Sequence, residues 1–103
     1  MMYVPFGTLN DAENAVQKLL DVKLIACANI IHSDSLYFWN QSLTKENEWI
    51  AVMKSDVDLT IILQDQIKLL HPYQTPAIIN WKVQCNQEYY DWVKSQVINT
   101  NKR

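Results

Sequence analysis

"HPYQTP", residues 71 to 76, places His71 and Tyr73 among two of the chain's three prolines. Imidazole carries protons and binds borderline metals, and phenol combines an apolar ring with a polar tip. Glu48 and Lys54 lie at an even spacing in "EWIAVMK", a run with strand character, and therefore on one face. Such a charged pair could line a cleft near Tyr73; its plainer role is to keep a strand edge soluble. Cys27 and Cys85, with His32 and His71, are all the thiols and imidazoles the chain has. None lies at a short ligand spacing from another, so a closed four-ligand copper or zinc site within one chain is not expected. Sites shared between chains stay open.

The same inventory argues against catalysis. An enzyme needs a nucleophile with a base, or two positioned carboxylates, and no such motif is present. The single glycine excludes most phosphate-cradling loops. A net charge of −2, with nine Lys and Arg spread along the chain, offers no basic stripe for nucleic acid. "MMYVPFGT" lacks a charged start and its apolar stretch stops at Pro5 and Gly7, which predicts neither a signal peptide nor a membrane span. A cytoplasmic location and two reduced, buried thiols follow as expectations.

These residues need elements to hold them. A chain of 103 residues, 49% hydrophobic and 19% charged, predicts one globular domain over residues 1–103. Met2 to Phe6 reads as a strand; Gly7 turns the chain, and Thr8 or Asn10 can cap a helix whose apolar face is Ala12, Ala15, Val16, Leu19 and Leu20. Leu24 to Ile31 is a second strand, resumed at Ser35 to Trp39 after a polar break at His32 to Asp34. Asn40 to Asn47 reads as a hairpin tip returning through Glu48 to Lys54. Ser55 with Asp58 resembles a capping box for a helix over Val57 to Leu70, with Leu59, Ile62, Leu63, Ile67 and Leu70 facing a core. Pro72 ends that helix and Pro76 extends the chain into a strand over Ala77 to Val83. On this reading His71 caps the helix end and Tyr73 packs with its hydroxyl at the surface. Asn86 caps a last helix carrying Tyr89, Tyr90, Trp92, Val93 and Val97.

The order β-α-β-β-α-β is that of an α+β, ferredoxin-like antiparallel sheet with its helices on one face, plus a C-terminal helix. "WIAVM" and "AIINW" are apolar at odd and even positions alike, so the sheet has a second apolar face for which no helix remains. A homo-oligomer packed through that face is the economical solution. The RNA recognition motif shares the element order, but "EWIAVMKS" lacks its glycine and its spaced aromatics.

"ACANI" (Ala26 to Ile30), "SLYFW" (Ser35 to Trp39), Glu48, Lys54, "HPYQTP" and "YYDW" (Tyr89 to Trp92) occur in an order and at separations that resemble the CutA family of divalent-cation-tolerance proteins. The resemblance runs from about Gly7 to Gln96. It implies a ferredoxin-like fold and a homotrimer. It also implies a role in divalent metal tolerance, copper foremost, with a metal ion or small ligand held weakly in clefts between subunits. It brings Trp39 to the cleft beside Glu48, Lys54, His71 and Tyr73, and puts Cys27 and His71 forward as metal ligands. A PII-like ligand sensor, or a trimeric scaffold without a metal role, is the alternative. The chain departs from the family pattern at Asn40, where glycine is common, and at Gln74 and Ala77, where glutamate is. The missing carboxylates argue against a hard-cation site made of protein oxygens alone.

Overall fold

The computed structural model describes residues 1–99, so the last four residues of the expected 1–103 domain lie outside the described part. Strand β1 is Met2–Phe6, with Met2, Val4 and Phe6 buried in alternation. Thr8 caps helix α1, Leu9–Asp21, by accepting the Asp11 N–H at 3.0 Å. Ala12, Ala15, Val16 and Leu19 form its buried stripe, whereas Leu20 turns outward. The helix ends in a Schellman arrangement: Leu24 N–H donates to the Leu19 carbonyl and Lys23 N–H to that of Leu20. Lys23 occupies the left-handed position at φ 60°, where glycine is usual.

Strands β2, Cys27–Trp39, and β3, Ser42–Lys54, pair antiparallel along their whole length, from Cys27↔Lys54 to Trp39↔Ser42. The expected break at His32 to Asp34 does not exist. Those residues pair with Trp49, Glu48 and Asn47, and outside the core their polar side chains cost the ladder nothing. The eight-residue tip shrinks to Asn40 and Gln41, at φ 50° and 64°, a two-residue turn of the hand that suits twisted strands.

β1 pairs with β3 between Met2↔Met53 and Phe6↔Trp49, and on its other side with β4, Ile79–Asn80. The sheet order is β2-β3-β1-β4, the ferredoxin-like arrangement. The last strand is far shorter than expected: only Ile79 and Asn80 pair with β1, opposite Tyr3 and Met2, with Met1 meeting Trp81 beyond. Ser55 does not cap: its hydroxyl donates to the Leu24 carbonyl at 2.6 Å, and Asp56 receives the Asp58 N–H at the 3₁₀ turn Val57–Leu59. Helix α2, Thr60–Leu70, continues from that turn and buries Leu63 and Ile67, while Ile62 points outward. Helix α3 is Gln87–Gln96. Its Val93, with Val97, joins the core, and Lys94 Nζ meets the nearly buried Asp56 carboxylate at 2.7 Å.

Directly paired residues share a face, so Tyr3, Pro5, Asn29, Ile31, Ile50 and Val52 stand opposite the helices. Ile31 is 52% exposed there, which is the uncovered second face read from the sequence. β1 reaches no further along β3 than Trp49, so the hairpin beyond Asp34 and Asn47 projects as a two-stranded arm.

Candidate functional site

Pro72 stops α2 at His71, whose N–H still donates to the Ile67 carbonyl at 2.9 Å. The ring turns inward, 7% exposed, and stacks on Phe6 at 4.3 Å between centroids. Its Nδ1 is 3.1 Å from the Tyr73 N–H and its Nε2 is 2.7 Å from the Pro5 carbonyl oxygen. A peptide N–H only donates and a carbonyl only accepts, so Nδ1 holds the lone pair and Nε2 the proton. A neutral His71 in this position has no lone pair left for a metal ion.

Tyr73 follows with its ring 4.7 Å from that of His71. A Cβ at Gly7 would stand 2.8 Å from the Tyr73 hydroxyl, so the chain's single glycine lies where the phenol comes closest. Burial pushes the Tyr73 phenol up, with help from the charges of Glu48, Glu46 and Asp11. The root of the arm completes the cluster. Ser35 donates to Glu48, and hydrogen bonding to Glu46, ahead of burial and the neighbouring carboxylates, pushes the Tyr37 phenol up. Two carboxylates, two phenols and a hydroxyl thus meet where β2 and β3 leave the sheet.

Lys54 is not among them. It shares a face with Glu48 but lies about 20 Å along the strand, at ~3.3 Å per residue. There its ammonium donates to Asn29 Oδ1 at 2.7 Å and stands 6.0 Å from the centre of the Tyr89 ring. Cys27 Sγ and Tyr89 Oη are 3.3 Å apart, a contact that, ahead of burial and the charges of Cys27 and Cys85, pushes the phenol up to about 12. Beside this second cluster opens a cavity of about 660 Å³, lined by Met53, Leu63, Trp81, Val83, Tyr89 and Val93. It lies between the body of the domain and the segment leading into α3.

Of the five expected cleft residues, one chain brings together Glu48, His71 and Tyr73, and leaves Lys54 at the far end of β3 and Trp39 at the arm's tip. Cys27 lies at the Lys54 end, away from His71. Among the described residues no three His, Cys, Asp or Glu side chains are grouped to hold a metal ion. Sequence reading passed over Gly7, Ser35, Tyr37, Glu46 and Asn29. The two-residue turn at Asn40 was the available signal, because it fixes the register that puts Ser35, Tyr37, Glu46 and Glu48 on one face.

Fold and clusters together define a ferredoxin-like α+β domain with polar groups gathered at the middle of β3 and at its Lys54 end. The family described as CutA1 divalent ion tolerance protein matches residues 1–96, and the chain belongs to it. The divalent-cation tolerance protein CutA of Thermotoga maritima is 34% identical over 101 residues, 94% of this chain and 100% of that one. That of Pyrococcus horikoshii is 37% identical, covering 90% and 92%. The crystal structure of CutA1 from Pyrococcus horikoshii superposes with a TM-score of 0.90 at 34% identity, over 95% of this chain and 97% of that one. The PII-like protein CutA from Nostoc superposes at 0.85 with 25% identity, over 94% and 95%. The periplasmic divalent cation tolerance protein CutA from Archaeoglobus fulgidus gives 0.87 at 28% identity, over 94% and 96%.

Proposed function

We propose that the chain acts in divalent-cation tolerance as a ring of three copies, binding a divalent ion, copper foremost, or a small ligand in the clefts where copies meet. The role is binding, without a catalytic step. The observation that carries the reading is the arm. Its helix-side face presents Leu36, Phe38 and Leu43 at 62%, 74% and 64% exposure, and a lone two-stranded ribbon is marginal in water. The cavity beside α3 is the apolar space such side chains fit, and the segment after β4 is an open edge to which a strand can add. Arm and cavity are different surfaces, so the contact is satisfied by two copies that exchange arms, by a closed ring or by an endless filament. The resemblance to the family supplies the number three.

An arm seated in a neighbour's cavity carries Trp39 and the acidic cluster toward the neighbour's Lys54 and Tyr89, which line it. That would rejoin, from two copies, the residues that one chain keeps apart. Copper is the favoured ion because Cys27 offers a soft ligand beside such a cleft. A second reading, a PII-like ligand sensor, draws on the likeness to the Nostoc protein described as PII-like.

Light scattering should give three times 12.1 kDa at low micromolar concentration. A stable monomer there would end this reading. Copper, zinc, magnesium and nucleotides tested by thermal shift separate metal from metabolite, since whatever binds the native state raises its melting point. Among the described residues no helix is long and apolar enough to cross a membrane. The proposed location is the cytoplasm, which cell fractionation tests against the periplasmic location of the Archaeoglobus relative.

A further inference from the structure

His71 is held by the fold, but what it holds belongs to the cleft. We propose that His71 is the positioning residue for Tyr73: its neutral ring accepts the Tyr73 N–H at Nδ1 and keeps the phenol over Gly7, and protonation of Nδ1 releases it.

The contacts leave little else to do this. Between Pro72 and Ala77 the Tyr73 N–H to Nδ1 bond is the one hydrogen bond a backbone group makes among the described residues. On the other side of the ring the Pro5 carbonyl belongs to β1, which is locked to β3 from Met2 to Phe6. A proton arriving at Nδ1 sets N–H against N–H at a buried position while the Nε2 bond to Pro5 survives. The strain therefore falls on the loop, which no other backbone hydrogen bond holds among the described residues, and not on the sheet. Aromatic stacking on Phe6 keeps the ring in place meanwhile.

The groups around it are few. β1 contributes the Pro5 carbonyl and Phe6, the loop contributes Tyr73, and the carboxylates of Asp11 from α1 and of Glu46 and Glu48 from β3 act on the Tyr73 phenol just beyond. Lys68 lies in the last turn of α2, and no ion pair among the described residues involves His71. The latch would open in acid, once Nδ1 takes up a proton and can no longer accept the Tyr73 N–H. That opening would matter for ligands rests on the proposed cleft; the latch itself does not.

The test uses the full chain labelled with ¹⁵N. At pH 8 the His71 ring should show an unprotonated Nδ1 and a protonated Nε2. As the pH is lowered from 8 into acid the protection of the Tyr73 amide against hydrogen exchange should fall by about tenfold, the order of one lost hydrogen bond. His71→Asn sets an untitratable amide oxygen near the place of Nδ1 and should keep the amide protected at every pH; His71→Gln reaches toward Pro5 instead and should leave it open at every pH. Gly7→Ala should displace the phenol at pH 8 with the ring tautomer intact. The opposite tautomer at pH 8, or the same pH dependence in wild type and His71→Asn, overturns the proposal. Should His71→Asn not fold, the wild-type tautomer decides alone. No ligand enters these measurements, so failure of the proposed function leaves them standing.

Discussion

Phe38→Asp is the sharpest perturbation of the assembly. In the free chain Leu36, Phe38 and Leu43 are 62%, 74% and 64% exposed, together about two whole side chains left in water. Seating them in a neighbour's cavity would be worth roughly 3–6 kcal/mol per arm, at about 1.5–3 kcal/mol for each fully buried side chain. Phe38 carries about a third of that. Asp in its place also sets a carboxylate against Trp81, Val83 and Val93, a cost of several kcal/mol without a partner. The loss should approach ~4 kcal/mol per contact, close to a thousandfold in affinity. Sedimentation at low micromolar concentration should then show single chains where wild type shows three. Leu69→Asp is the control, because Leu69 is as exposed, at 77%, but lies on α2 away from the arm. If Phe38→Asp assembles as tightly as Leu69→Asp, the arm is not the contact and the ring has to be sought elsewhere.

Lys23→Gly should stabilise the chain by about 0.5–1 kcal/mol, since a residue with a Cβ at φ 60° loses roughly 1–2 kcal/mol against part of glycine's entropy cost. A lower urea midpoint for the variant would contradict this. The Lys94 ammonium is held above its usual 10.5 first by its hydrogen bond to Asp56 and then by that charge. A raised cation stabilises fully below 10.5 and loses its contribution as pH climbs through the raised value, so on the alkaline side wild type and Lys94→Met should not converge in melting temperature until strong alkali. Convergence below pH 9 would show that the pair does not tether α3. Copper(II) should bind more tightly than zinc(II), and both far more tightly than magnesium(II), with Cys27→Ala weakening copper most. A tight magnesium site would contradict the ligand inventory.

Local chemistry was legible wherever neighbours in sequence settle the outcome. Thr8 with Asp11 starts α1, Pro72 stops α2, and the doubly apolar runs announce a sheet with two faces to cover. What stayed hidden depends on partners far along the chain. Polar residues from His32 to Asp34 look like a loop until the opposite strand is present to take their hydrogen bonds. The strand after Pro76 reads long because its own pattern is long, but only Ile79 and Asn80 find partners, across the sheet on β1. Ser55 reads as a cap because its nearest acceptor in space, the Leu24 carbonyl, is 31 residues away.

The separation of Glu48 from Lys54 carries the most consequence for function. Period-two spacing puts both on one face, and a face was mistaken for a place, since a β-strand moves about 3.3 Å with every residue. Residues six apart on one face of a strand can meet one ligand only if something bridges the distance between them. A second copy, entering by an arm that carries its own acidic cluster, is the bridge this fold has room for. The arm's exposed apolar face and the separated halves of the cleft are therefore one problem, and a single arm-to-cavity contact resolves both.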